Sequence, residues 1–441
     1  MKKTITFKNL YLTINLIFST AMLFYELLPS LVVMLMLFFF IMWSVICLKK
    51  RIGFFLSLVY TAIAMIPTSF ISIIGKSTSS FPITWYHILV IWAVFFCIRK
   101  EKVDRVYCVA VIFFSVYGLC TSLLQSDIGD SIKQVLMCIL FLCSFFIGKC
   151  CLVKTDKEKF FFLYKLYIIG AVAVALQVLI QFFLLNYMGL SIGRIGYYAN
   201  RTAYAGLLGD YSFATTYIAT GFMAVFLGYF RYEFINFAKF VVLEIILMSG
   251  MVTVTARAGL YALAITIILY IAMHLKHLKI RYIFVIIVAF LVSPLIIDIL
   301  MGKRGGQALL SDSGRMYEYI IAIRIWLEHI LFGIGFGLEY LKRKCNISVP
   351  HNFFVQYLLQ GGLVGIILIL RPFIRFIKDI AKSVDSSIWL FVLVCISAMV
   401  IPDVVNSRFF SAIIILNYMS CFKYANSLED VYSLSHYKVY K

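Results

Sequence analysis

The residues of this chain that could do chemistry are mainly arginines at the ends of long apolar runs. Arg257 lies in the sequence TARAG, where a short polar break separates two such runs. Arg194 and Arg201 flank the pair Tyr197 and Tyr198 in GRIGYYANR. Guanidinium groups pair with phosphate, and aromatic rings can stack on a sugar. The pattern predicts that these residues bind a phosphorylated, sugar-bearing substrate; a contact with lipid headgroups is the alternative for each arginine.

A histidine at the start of an apolar run is the second feature. His351 follows Pro350 and precedes Asn352. A neutral imidazole can accept a proton from an attacking hydroxyl group, and a nearby helix N-terminus helps to keep the ring uncharged. We therefore predict that His351 is a general base and that Asn352 binds substrate beside it. A structural histidine is the alternative, and His329 is a weaker candidate for the same role.

The sequence lacks the motifs of several other kinds of functional site. It has no Walker loop, no Rossmann fingerprint, no HExxH motif and no Cys/His pattern for a metal. The acidic residues on the side of the arginines are scattered. We therefore expect neither a metal ion nor another cofactor. The formal net charge of +20 does not indicate nucleic acid, because the basic residues stand in short clusters between apolar runs.

The elements that must position these residues are transmembrane helices. Of the 441 residues, 63% are hydrophobic and 14% are charged, which excludes a soluble enzyme. Because one crossing takes about 20 apolar residues, the sequence predicts an all-α integral membrane bundle of about 12–14 helices. The predicted spans are residues 10–28, 31–48, 52–74, 83–98, 106–124, 132–148, 160–188, 212–230, 237–254, 258–273, 282–301, 351–370, 387–401 and 409–422.

The distribution of Lys and Arg predicts the orientation of the bundle. Most of these residues fall in alternate connectors, and positive connectors stay in the cytoplasm. Both termini are then cytoplasmic, and the first apolar run is a retained helix because it has no cleavage site. Arg194, Arg201, Arg257 and Arg408 lie on the outer side, where positive charge is disfavoured and a functional role is expected.

The sequence divides at one long connector. We predict a transmembrane bundle at 1–301, a large outer loop at 302–350, C-terminal transmembrane helices at 351–424 and a cytoplasmic tail at 425–441. The loop is the only connector long enough to build extramembrane structure. Within it, residues 315–332 predict an amphipathic helix on the membrane surface. Its apolar arc runs from Met316 to Leu331, and its polar arc holds Arg315, Glu318 and Arg324; packing on its own loop is the alternative.

Four segments together resemble a known family. They are TARAG, SDSGR at the start of the loop helix, FGIGFG, and PHNFF followed by QGGLVG. The arrangement resembles the O-antigen ligase and O-antigen polymerase superfamily of bacterial polysaccharide assembly, most clearly between about residues 250 and 370. The resemblance implies a GT-C-like bundle in the cytoplasmic (inner) membrane that acts without metal on an undecaprenyl-diphosphate-linked oligosaccharide at the outer face. It also implies that Arg257, Arg315 and His351 are the catalytic residues. Arg324, on the polar arc of the loop helix, is predicted to bind substrate.

Three functions follow from the resemblance and the outer arginines. A polymerase would transfer the growing chain onto a lipid-linked repeat unit, and a ligase would transfer the finished chain onto lipid A-core or another acceptor. A flippase for lipid-linked oligosaccharide is the third alternative. Fourteen spans and two arginine-bearing outer loops favour the polymerase, which would work with a flippase and a chain-length regulator of the same pathway.

Overall fold

The computed structural model shows an α-helical bundle. It describes residues 6–78, 81–100, 104–198, 201–274, 315–345, 347, 349–381 and 387–421; of Lys100, Tyr198, Arg201, Lys344 and Cys345 it describes the backbone only. The helices are α1 (Phe7–Ala21), α2 (Ser30–Ile52), α3 (Phe54–Ala64), α4 (Trp85–Lys100), α5 (Arg105–Leu123), α6 (Ile128–Lys154), α7 (Lys157–Met188), α8 (Tyr211–Phe230), α9 (Phe237–Val254), α10 (Ala258–Met273), α11 (Arg315–Glu328), α12 (Leu338–Cys345), α13 (Phe353–Ile380), α14 (Ile388–Ala398) and α15 (Arg408–Ser420).

The helices confirm the predicted all-α polytopic membrane protein. Among the described residues, eight helices are long and apolar enough to cross a membrane: α1 with its 3-10 extension to Leu27, α2, α5, α6, α7, α8, α9 and α13. Five shorter apolar helices, α3, α4, α10, α14 and α15, coincide with further predicted spans. The predicted span 282–301 and the predicted tail 425–441 lie outside the described residues.

Helix α7 lies at the centre of the bundle and packs against α1, α3, α8 and α9. Small residues allow these close contacts. A Cβ atom on Gly221 of α8 would lie 2.3 Å from the Cβ atom of Ala171, and one on Gly250 of α9 would lie 2.7 Å from that of Ala175. Helices α8 and α9 are therefore held directly against the backbone of α7.

Polar and charged side chains join four helices, α5, α6, α13 and α15, at one end of the bundle, which we name the basic end. Lys149 of α6 forms ion pairs with Asp104, which precedes α5, and with Asp379 of α13, the latter at 3.1 Å. Arg375 of α13 lies 3.7 Å from Asp104 and 3.4 Å from Asp379. Next to this cluster, the hydroxyl groups of Tyr107 and Tyr418 share a hydrogen bond that links α5 to α15.

A β-hairpin marks the opposite end, which we name the hairpin end. Strands β1 (Ile195–Tyr198) and β2 (Arg201–Tyr204) pair antiparallel, with Tyr197 opposite Thr202. Buried Gln181 of α7 fixes the hairpin, because its amide donates to the Ile192 carbonyl oxygen and accepts from the Gly206 N–H, both at 2.8 Å. Side-chain hydrogen bonds from a helix thus order this short connector, so regular structure outside the helices also occurs beyond the predicted loop 302–350.

Helix α13 is broken at Gly362, where φ is 58° and ψ is −162°. The loop after α11 inserts into the break and satisfies the backbone groups that the helix leaves unpaired. Amides of Leu363, Val364, Ile334 and Gly335 donate to the carbonyl oxygens of Ile330, Leu331, Leu359 and Gln360 at 2.8–3.1 Å. The glycine segments FGIGFG and QGGLVG thus form one joint between the loop and the bundle.

Candidate active site

His351 is held at the hairpin end by two residues of α11. Its Nδ1 atom lies 3.0 Å from the Glu318 Oε2 atom, and its carbonyl oxygen accepts a hydrogen bond of 2.6 Å from the Tyr319 hydroxyl group. The His351 and Glu318 side chains are 31% and 23% exposed. A neutral imidazole that donates its Nδ1–H to a carboxylate has its Nε2 atom left as an acceptor. The pair can therefore orient a base toward a hydroxyl group.

Asn352 has a structural role in the described residues. Its side-chain oxygen accepts hydrogen bonds from the Phe354 and Val355 amides at 2.9 and 3.2 Å, so Asn352 caps the N-terminus of α13. Its side-chain nitrogen donates to the Met399 carbonyl oxygen at 3.1 Å. The cap fixes His351, the residue before it. Substrate binding by Asn352 itself stays a prediction.

Arg315 and Arg324 lie on opposite sides of α11. Arg315 begins the helix one turn before Glu318, on the face where Ala322 is fully buried against α12 and α13. Arg324 follows about two and a half turns after Arg315 and is exposed. The structure therefore brings Arg315 to the His351–Glu318 pair and turns Arg324 away from it.

Helix α11 contacts the bundle through one edge of its predicted apolar arc. Met316, Ile320 and Leu327, which belong to this arc, are 55–57% exposed. The helix instead packs along the border between its two arcs, so that Glu318 and Tyr319 face His351. It also ends at Glu328, and residues 329–332 form a turn. The helical period of a sequence gives the directions of the side chains relative to one another, but it does not show which side of the helix faces the bundle.

Arg257 occupies the break between α9 and α10 as predicted. Thr255, with a φ of 64°, reverses the chain there, and its hydroxyl group donates to the Thr202 carbonyl oxygen of β2 at 3.4 Å. The Thr215 hydroxyl group of α8 donates to the Ala256 carbonyl oxygen at 3.4 Å. Part-buried Arg257 is thus fixed beside the hairpin and directly precedes α10.

Arg257 and His351 lie at the same end of the bundle. Helices α10 and α14 pack against each other, and the Tyr270 and Trp389 rings meet at 5.4 Å near the basic end. Followed to the hairpin end, α10 begins after Arg257 and α14 ends before Met399. The residue after His351 donates to the Met399 carbonyl oxygen. The start of α10 and the end of α14 therefore place both predicted catalytic residues at the hairpin end.

The predicted residues of the hairpin form a separate group. Arg194 is exposed beside a cavity, and Tyr197 is 66% exposed. The backbones of Tyr198 and Arg201 form the turn-side pair of the hairpin, and their side chains lie outside the described part. Within that part, no hydrogen bond joins Arg194 or Tyr197 to the His351–Glu318 pair. The hairpin contacts the Arg257 break but not the histidine.

Arg408, the fourth outer arginine of the sequence analysis, begins α15. Its Nε atom is buried and has no hydrogen-bond partner among the described residues. The side chain lies close to Tyr86 and His87 of α4. Phe409, the next residue, stacks on Tyr217 of α8 at 5.5 Å. Arg408 is therefore at the level of the Arg257 break, on the other side of α8.

Sequence reasoning missed Glu318 and a group of amide side chains below the site. Glu318 lies three residues after Arg315 on the predicted polar arc, which by itself does not indicate a partner for its carboxylate. Gln125, two residues after the end of α5, holds the FGIGFG loop by donating to the Ile334 carbonyl oxygen at 2.6 Å. Gln356 of α13 bonds both the carboxylate and the amide of Asp403, at 2.6 and 2.7 Å. Burial raises the pKa of Asp403, although the Gln356 hydrogen bond opposes the shift.

No pattern in the sequence marks these glutamines, because each acts through a tertiary contact. The part of the chain that the structure describes also contains no group of three or more His, Cys, Asp or Glu side chains that could hold a metal ion.

One family model matches the chain. The O-antigen ligase family matches residues 242–370. That segment contains Arg257, Arg315 and His351 together with both glycine segments, whereas the hairpin lies outside it. A search among curated proteins found no match. This match supports the resemblance of residues 242–370 to the O-antigen polymerase and ligase superfamily, whose members are membrane glycosyltransferase-like enzymes of lipopolysaccharide biosynthesis.

Proposed function

We propose that the protein is a polymerase that joins polyprenyl-diphosphate-linked glycan repeats. It would transfer the growing chain from its undecaprenyl diphosphate carrier onto the next lipid-linked repeat unit. A flippase would deliver the repeat units, and a chain-length regulator would act beside the enzyme. The active site would face the outside of the cytoplasmic membrane, with both termini in the cytoplasm.

The observation that carries this proposal is the contact between His351 and Glu318. It joins the loop helix to the start of α13 inside the segment that matches the family, and Arg315 lies one helical turn from it. A base with an oriented imidazole and adjacent guanidinium groups is suited to glycosyl transfer from a diphosphate. Arg257 lies at the same end of the bundle.

The proposed reaction assigns one role to each residue. The His351 Nε2 atom takes the proton of the acceptor hydroxyl group, whose oxygen then bonds to the anomeric carbon of the donor glycan. The bond between that carbon and the diphosphate oxygen breaks, and the electron pair leaves with the diphosphate. Arg257 and Arg315 stabilise the negative charge of the leaving group. Glu318 orients the ring and stabilises the imidazolium that forms.

The membrane would hold the lipid part of both substrates. In the orientation that we propose, the basic end faces the cytoplasm, as its Lys and Arg residues favour. The exposed apolar residues of α11 would then lie in the outer leaflet beside the site. A diphosphate could reach Arg315 while its polyprenyl tail stays in the bilayer.

A ligase is the second candidate, because the matching family model is described as an O-antigen ligase. The chemistry would be the same and the acceptor would differ. A deletion strain separates the two functions. Loss of a polymerase leaves the acceptor lipid with a single repeat unit, whereas loss of a ligase leaves it bare while long chains accumulate on the carrier.

The experiment that tests the proposal is complementation of that strain. His351→Ala, Arg257→Ala and Arg315→Ala should each remove the ladder of long chains when the variant protein is present at the wild-type level. Arg343→Ala is the matched control, since Arg343 is an exposed arginine of the same loop that pairs with Asp127 and has no proposed role in the reaction. Long-chain ladders from all three site variants would exclude the proposed roles.

A further inference from the structure

A polar cavity opens at the hairpin end, and neither His351 nor Glu318 lines it. Its volume is about 570 Å³, within the range of ligand-binding cavities in proteins. It lies between the 3-10 turn after α1, the segment 70–77 and the start of β1. All of these elements lie outside the segment that matches the family.

The walls of this cavity are fixed by the contacts of its own residues. One oxygen of Glu26 accepts a hydrogen bond from the Gly193 N–H at 3.1 Å, and the other accepts one from the Tyr25 hydroxyl group at 3.2 Å. Gly75, with a φ of 73°, lies so close to the chain at Ser30 that a Cβ atom would come within 2.2 Å of the Ser30 carbonyl oxygen. The cavity is therefore built by tertiary contacts and is not a gap between loose loops.

Two cations line the cavity. Lys76 and Arg194 are both exposed, and among the described residues neither forms an ion pair. Glu26 is the carboxylate of the lining, and hydrogen bonds to Gly193 and Tyr25 engage its oxygens. The ammonium group of Lys76 and the guanidinium group of Arg194, beside the aromatic ring of Phe70, are suited to bind a ligand that carries negative charge on a ring or chain.

The hairpin connects this cavity to Arg257. Ile195 lines the cavity, and Tyr197 lies two residues further on the same face of β1, about 7 Å along the strand. Tyr197 is exposed and pairs with Thr202, whose carbonyl oxygen contacts the Arg257 break. A short oligosaccharide could therefore extend from Arg257 over Tyr197 into the cavity.

We propose that the cavity binds an acidic sugar of the glycan, whose carboxylate or phosphate substituent is held by Lys76 and Arg194. This inference rests on the proposed function and adds a substrate class to it: repeat units that carry negative charge outside the diphosphate. The cavity acts as a specificity site, and the reaction takes place at His351. Anionic lipid headgroups are the competing ligand.

A binding measurement with the full-length protein in phosphatidylcholine nanodiscs tests this inference. The probes are hyaluronan tetrasaccharide for carboxylate, glucose 6-phosphate for phosphate and tetra-N-acetylchitotetraose (chitotetraose below) as the neutral oligosaccharide. At least one acidic probe should bind about tenfold more tightly than chitotetraose, and Lys76→Ala and Arg194→Ala should each weaken it about tenfold, which is the contribution of one charge-assisted hydrogen bond. Lys342→Ala, which removes an exposed cation paired with Glu339, should leave binding unchanged.

The inference is overturned if acidic and neutral probes bind equally or if Lys342→Ala weakens binding as much as the cavity variants do. It is also overturned if nanodiscs with phosphatidylglycerol abolish binding of the acidic probes, because the cavity then holds lipid headgroups. Binding does not depend on catalysis. Normal binding together with full chain-length ladders from His351→Ala would therefore contradict the proposed function alone.

Discussion

At the scale of single residues, the site depends on pairs of side chains from distant parts of the chain. His351 and Glu318 are 33 residues apart and meet at 3.0 Å. Glu318 lies on the surface of α11 and His351 at the start of α13, so each side chain depends on the other for its orientation. The Asn352 cap and the Tyr319 hydroxyl group fix the backbone on which the imidazole stands.

Glu318 should contribute to turnover and not to substrate binding. Glu318→Ala removes the acceptor of the Nδ1–H, so the ring loses its orientation in the transition state. We expect kcat to fall about tenfold or more with little change in KM. Glu318→Gln, which keeps an acceptor oxygen without the charge, should lose less. Steady-state transfer rates at several substrate concentrations measure both effects, and a rise in KM at constant kcat would contradict the positioning role.

At the scale of elements, the joint between the FGIGFG loop and broken α13 determines where the site stands. Gly333 has a φ of 64°, and a Cβ atom on it would lie 2.5 Å from the Gln360 carbonyl oxygen. A Cβ atom on Gly362 would lie 2.4 Å from the Leu331 carbonyl oxygen. Only glycine fits at both positions, and the loop that carries Glu318 is held to α13 through them.

Gly362→Ala should therefore destabilise the protein. The left-handed conformation costs a non-glycine residue about 1–3 kcal/mol, and the contact with Leu331 adds to this. Gly129→Ala is the matched control, because Gly129 lies in α6 and no atom stands within 4 Å of its added Cβ. Thermal unfolding in detergent should show a lower melting temperature for Gly362→Ala and no loss for Gly129→Ala. Equal melting temperatures for Gly362→Ala and Gly129→Ala would contradict the proposed role of Gly362 in the joint.

The ion pairs at the basic end should make the stability of the folded protein depend on pH in the acid range. Burial raises the pKa of Asp104, but hydrogen bonds from Lys149 and the Val106 N–H, with the charges of Lys149 and Arg375, outweigh it and hold the pKa below its usual value. A carboxyl group whose pKa is lower in the folded than in the unfolded state stabilises the folded protein at pH values above the unfolded pKa of about 3.9. This stabilisation is lost as the pH falls through the pKa of the folded state.

Asp104→Asn should accordingly lower the melting temperature at neutral pH, and the difference from the wild type should shrink below about pH 4. Glu158→Gln serves as the control, since Glu158 belongs to an exposed ion pair with Lys8 and such pairs contribute little. A difference for Asp104→Asn that stays constant from neutral to acid pH would contradict the role of its ionised carboxylate.

At the scale of the whole molecule, hydropathy predicts the helices well because lipid demands long apolar segments. Thirteen apolar helices coincide with predicted spans, and the glycine motifs mark the joint at Gly362 without revealing that the helix breaks there. The hairpin and the direction of Glu318 could not be predicted. Both depend on tertiary contacts, from Gln181 in one case and from the packing of α11 in the other.

The proposed orientation of the bundle can be tested by labelling. Tyr197→Cys, on the exposed hairpin, should react with a membrane-impermeant maleimide in intact spheroplasts. Lys50→Cys, at the basic end of α2, should react only after permeabilisation. The wild type, with its native cysteines, gives the background signal. The reverse pattern would place the hairpin in the cytoplasm and would contradict the proposed site of the reaction.

The central claim is that Arg257, Arg315 and His351 act together on one diphosphate-linked glycan. Transfer by the purified protein in nanodiscs, with isolated lipid-linked repeat units as the sole substrate, measures this most directly. We predict a ladder of products from the wild type and Arg343→Ala, and a loss of about a hundredfold or more in initial rate from each of the three site variants. A wild-type rate from His351→Ala in that assay would contradict the claim.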